Sequence, residues 1–142
     1  MIGLDTNVLA RYYIDDQADE QAQRQRLAAR RLIESGQPLM VCKSVVLELE
    51  WVMRGYYGFD SAAVASVMHH LLEQPHITVE DRDVIEQALS SCAAGIEFAD
   101  ALHHASYKSC DTVATFDDRK FARRAKKLGL APAVVVVPSL VA

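Results

Sequence analysis

The 142-residue chain has little cysteine, and its three thiols, Cys42, Cys92 and Cys110, form no CxxC pair. An odd number of cysteines inside apolar stretches excludes a disulfide framework or a zinc ribbon; reduced core thiols in a cytoplasmic protein are expected instead. Long hydrophobic runs are missing as well, so no membrane span is expected. Met1 leads at once into an acidic turn with no basic segment before an apolar core, so no secretory signal is expected either. Four prolines and six glycines are too few to build a linker or a low-complexity tract, and no internal repeat is visible. An excess of positive charge is lacking too: the formal net charge is -4. That weighs against a uniformly basic nucleic-acid surface and leaves the distribution of charge to decide.

What is present is apolar substance, 51% of the residues, enough for one domain over 1–142 to bury a core without staples. Ile2-Gly3-Leu4 is a short strand that turns at Asp5-Thr6-Asn7 into a helix with Val8, Leu9, Tyr12 and Tyr13 at helical spacing. A long polar helix is expected from about Asp16 to Ser35, with Leu27, Leu32 and Ile33 buried and Gly36 closing it. Leu39 to Cys42 reads as a second strand, with Ser44 capping the helix that follows. A further helix starts at Asp60 or Ser61 and ends at Pro75. Ile77–Val79 and Thr112–Thr115 read as strands. Between them lie a helix capped by Asp81 and another, from Phe98 to Tyr107, led by Asp100. Asp117 to Leu128 is a basic helix stopped by Gly129, and Ala133 to Val137 has the β-branched run of a parallel strand buried on both faces. Five short strands separated by helices make an α/β fold, a central parallel sheet flanked by helices.

Parallel sheets deliver functional residues at the carboxyl ends of their strands. Asp5 ends the first strand and Asp117 the fourth, and a 3-2-1-4-5 strand order would make those strands neighbours. Glu48, in the helix after the second strand, and Asp100, before the fourth, are placed to lean over the same edge. Carboxylates that close repel one another unless a divalent cation neutralises them, and oxygen-only ligands select Mg²⁺ or Mn²⁺ over Zn²⁺. Each acid also has a plainer reading: Asp5 and Asp100 as helix caps, Glu48 on a solvated face, Asp117 complementing a helix dipole. Their shared position at strand ends and helix starts favours the metal site.

The segments Leu4-Asp5-Thr6-Asn7-Val8-Leu9, Ser44 to Trp51, Phe98-Ala99-Asp100-Ala101-Leu102 and Thr115-Phe116-Asp117 resemble the acidic motifs of PIN-domain ribonucleases. Their order and spacing are most similar to VapC-type toxins of bacterial toxin–antitoxin pairs. The resemblance implies RNA cleavage by water activated by Mg²⁺ or Mn²⁺, with Asp5, Glu48 and Asp100 as main ligands and Asp117 as a fourth. It further implies a homodimer and an antitoxin whose C-terminal segment lies along a groove near the early helices. Thr6, Asn7 and Thr115 are candidates to hold the carboxylates or their waters, with turn and cap chemistry the alternative for Thr6 and Asn7.

Glu50 lies two helical steps, about 200°, from Glu48, so only one of the two can face the site; the motif selects Glu48. Asp118 reads as a helix-start residue. His103 and His104 read as a helix-surface or interface pair. Arg119, Lys120, Arg123 and Arg124, continued by Lys126 and Lys127, either guide an RNA backbone or balance their own helix dipole. Trp51, Tyr56, Tyr57 and Phe59 read first as core packing. Two other functions compete. One is an acidic α/β phosphatase with Asp5 as nucleophile, which would want an aspartate where Asn7 stands. The other is a PIN-like binding or regulatory module without activity, in which loss of acids would be expected.

Overall fold

Two residues, Ile2–Gly3, are all that the first strand, β1, contributes to a ladder. The computed structural model describes residues 1–140. Its chain divides into two units, Met1–Arg82 and the remainder from Asp83.

In the first unit β1 pairs in parallel with β2 (Leu39–Val41), and β2 with β3 (Ile77–Val79), giving the order 1-2-3. Leu39 and Val41 are fully buried, and Ile77 and Val79 nearly so, as the period of two requires. The crossover from β1 to β2 carries α1 (Thr6–Tyr13) and α2 (Glu20–Ile33). Asp19 caps α2 by accepting from the backbone N–H groups of Gln21 and Ala22 at 2.9 and 3.2 Å. The helix therefore starts later than Asp16. Its buried stripe is Ala22, Ala29 and Ile33, while Leu27, about 140° round the axis from Ala22, is 64% exposed. The small alanines let α1 pack closely on α2.

Helix α3 (Lys43–Trp51) starts one residue before Ser44, and Cys42 holds the cap position without a side-chain cap bond. Glu80 supplies the missing acceptor, taking the Lys43 N–H at 2.7 Å. A wide π-type turn, Val52–Tyr56, continues α3. Then α4 (Ser61–Glu73), capped by Asp60, leads to β3.

The second unit contains α5 (from Arg82, at the unit boundary, to Ala93), α6 (Phe98–Ser106), β4 (Thr112–Thr115), a π-type turn (Asp118–Ala122), α7 (Arg123–Leu128) and β5 (Ala133–Val136). Gly129 ends α7 in the left-handed conformation at φ 64°, which glycine adopts without a Cβ penalty. Strands β4 and β5 pair in parallel from Thr112↔Ala133 to Thr115↔Val136.

The five expected strands are thus present, but as a three-stranded and a two-stranded parallel sheet rather than one sheet of five. Within the first unit β1 is brief: Ile2 and Leu4 donate to the carbonyls of Pro38 and Met40 at 3.0 and 2.9 Å, and only two of its residues join the ladder with β2. Nor is β5 buried on both faces. Val135 and Val136 are each 41% exposed, and the β-branched run marks strand propensity rather than burial. Among the described residues no helix is long and apolar enough to cross a membrane.

Candidate functional site

In the first unit Asp5 follows β1 in extended backbone and caps α1, its Oδ1 accepting from the Thr6 N–H at 2.8 Å. Thr6 is buried and Asn7 exposed. Asn7 lies with Val8, Arg11, Gln25, Ala28 and Leu32 along an open groove of about 260 Å³ formed by α1 and α2. Because β1 and β2 run parallel, Asp5 and the start of α3 emerge at the same edge of the sheet, and α1 packs against α3. Along α3, Glu48 is exposed, whereas Glu50 is buried at 3% and bound by Arg54 through both carboxylate oxygens, at 3.1 and 3.0 Å. The helix therefore separates its two acids as the 200° between them requires. Glu48 is available for binding, and Glu50 is committed to its ion pair.

In the second unit Asp117 follows β4 and caps the π-type turn, its Oδ1 accepting from the Lys120 N–H at 2.8 Å. The Asp117 N–H donates to Thr115 Oγ1 at 3.0 Å, so Thr115 fixes the backbone that aims this carboxylate. Asp100 sits in the first turn of α6, half-buried. Burial pushes its carboxyl above the ordinary range, and the negative charges of Glu97 and Asp117 push it the same way against the pull of His103 and Arg124. Lys120 Nζ lies 3.6 Å from Glu97, and Arg124 donates to the Gly95 carbonyl at 3.2 Å.

His104 is not a surface residue. It is 4% exposed, its Nε2 donates to the Pro132 carbonyl at 2.8 Å, and its ring meets Phe121 edge-on at 6.3 Å. His103 alone faces solvent. The bond fixes the His104 proton on Nε2, because a carbonyl can only accept. The patch at the end of α3 is likewise less buried than core packing implies: Trp51 is 56% and Tyr56 72% exposed. Reading the sequence alone passes over Glu97. The signal for it was an acid at the helix-start position three residues before Asp100.

Asp5 and Glu48 thus belong to the first unit, and Asp100 and Asp117 to the second. Among the described residues no three histidine, cysteine, aspartate or glutamate side chains gather into a group able to hold a metal ion. The chemistry of the candidate donors is nonetheless that of a hard cation. They are all carboxylates, and the negative charge of Asp117 is one of the causes that raise the Asp100 carboxyl.

Comparison with known proteins gives one family, the PIN domain, whose profile matches residues 2–127 and so spans both units and all four acids. No curated protein matches the chain. On that match the chain belongs to the PIN-domain family, whose members are generally nucleases.

Proposed function

We propose that the chain is a metal-dependent endoribonuclease in which Asp5, Glu48, Asp100 and Asp117 hold Mg²⁺ or Mn²⁺ and residues 1–142 act as one domain. The observation that carries this reading is Asp100: burial and the negative charges of Glu97 and Asp117 all disfavour its ionised form, a cost that a bound cation would offset. The exposure of Glu48 beside a committed Glu50 supports the same ligand set. When bound, the cation would polarise the attacking water and neutralise charge on the phosphate oxygens.

The chain's own residues prepare that chemistry. Asp5 and Asp117 are each oriented by a backbone N–H, and Thr115 holds the turn at Asp117. Thr6 and Asn7 stand beside Asp5 to position its waters. Arg119, Lys120, Arg123 and Arg124 attract the RNA backbone. As a cytoplasmic toxin it would act as a homodimer and be silenced by an antitoxin segment in the groove of α1 and α2, where Arg11 and Gln25 supply polar anchors.

The test is cleavage of RNA by purified protein with Mg²⁺ or Mn²⁺, with and without chelator, beside Asp5→Asn and Asp100→Asn. Loss of cleavage in all three controls is expected. Cleavage that survives chelation and both substitutions would sink the reading. A short neighbouring reading frame whose product binds the chain and stops cleavage would establish the toxin–antitoxin assignment.

A further inference from the structure

Four phenylalanines occur in the chain. Phe98 and Phe121 are buried at 4% and 6% exposure and Phe59 is half-buried, but Phe116 is 72% exposed, directly before Asp117 at the end of β4. A single exposed apolar residue is ordinary. The surroundings of this one are not. The next eleven residues carry six cations, Arg119, Lys120, Arg123, Arg124, Lys126 and Lys127, against two acids, in a chain whose net charge is -4. All six cations are exposed.

We infer that Phe116 is a stacking platform for an unpaired base of single-stranded RNA, whose backbone the cations after Asp117 hold. This rests on the ribonuclease reading above and adds a base-contacting residue to it. A positive track beside a solvent-facing aromatic ring is the combination that binds single strands, since every base offers a π-face and every nucleotide a phosphate. A duplex keeps its bases stacked and cannot use the ring. A second exposed aromatic patch, Trp51 and Tyr56, has less of this charge complement: Arg54, between them in sequence, is bound to Glu50, and Glu48 is exposed one turn away.

The experiment is equilibrium binding of a fluorescein-labelled oligouridylate, of an abasic analogue of equal length, and of a duplex RNA, all in EDTA so that no strand is cut. Phe116→Ala should weaken oligouridylate binding about 5- to 150-fold, and Phe116→Leu should weaken it similarly. Phe116→Trp should retain it. Wild type and Phe116→Ala should bind the abasic strand and the duplex alike. Unchanged oligouridylate binding in Phe116→Ala, full retention in Phe116→Leu, or an equal loss on the abasic strand overturns the inference. So does no binding by the wild type, or a change of oligomeric state as the only effect of the substitution. Because binding is read without cleavage, the two readings fail separately. A wild type that stacks RNA but never cuts it defeats the nuclease reading alone, and one that cuts RNA with Phe116→Ala binding unchanged defeats the platform alone.

Discussion

Arg54 and Glu50 form an ion pair along one turn of helix, Nε to Oε2 at 3.0 Å, with the Glu50 side chain 4% exposed and the Arg54 side chain largely in water. The pair satisfies a buried charge that would otherwise be costly, and it removes Glu50 from any role at the surface. Glu48 on the same helix is left without such an obligation.

Glu50→Ala should therefore lower stability by about 1–3 kcal/mol in thermal or urea unfolding, because buried charge-assisted hydrogen bonds are lost. Glu48→Gln should move stability by no more than about 0.5 kcal/mol, as exposed substitutions do. It should also reduce RNA cleavage by at least about 10- to 100-fold, a range already reached by losing a partner outside the ligand sphere. The reverse pattern, with Glu50 essential to cleavage and Glu48 dispensable, would exchange their roles.

Asp100 should trade stability for function. In chelator at neutral pH, Asp100→Asn removes a half-buried carboxylate that burial, Glu97 and Asp117 all disfavour, so the variant should melt at a higher temperature than the wild type. Mn²⁺ should raise the melting temperature of the wild type and much less that of the variant, since only binding to the folded state stabilises. Calorimetry with and without the ion checks both.

Asp15 gives the first unit an acid-sensitive component. Hydrogen bonds from Gln23, Arg26 and Gln17 hold its carboxyl well down, from 3.8 to about 2, and Arg26 pairs with it at 2.8 Å. A folded-state value below the unfolded one means stability that is fully present above pH 3.8 and is lost as the pH falls towards 2. The melting-temperature difference between wild type and Asp15→Asn should shrink over that window and be constant above it. A difference still undiminished at its lower end would contradict the assignment.

The adjacent histidines should behave oppositely. His104→Ala opens a cavity and leaves the Pro132 carbonyl without its donor, which should cost about 2–4 kcal/mol. His103→Ala, at an exposed position, should stay within about 0.5 kcal/mol. Paired denaturant titrations distinguish them.

Much of this molecule is legible in its sequence because the signals are local. All five strands fall where short apolar runs stand, Asp60 caps α4, Gly129 ends α7, and the four acids lie in motifs whose order survives any packing. Errors arise where a local signal has two equally local meanings. Ser44 is a good cap residue, but Glu80, distant in sequence, supplies the acceptor one residue earlier. Leu27 looks like core, but its neighbours Ala22 and Ala29 make the closer-packing face. A β-branched run signals a strand and says nothing about what covers it, as the exposed valines of β5 demonstrate.

Residue order alone puts carboxylates at the strand ends and requires Glu48 and Glu50 to point apart, because helical geometry is a property of the backbone. Which of the two is buried, which histidine enters the core and which phenylalanine stays in water follow from packing in three dimensions. Burial belongs to a face rather than to a residue, and faces are chosen by packing partners far away along the chain.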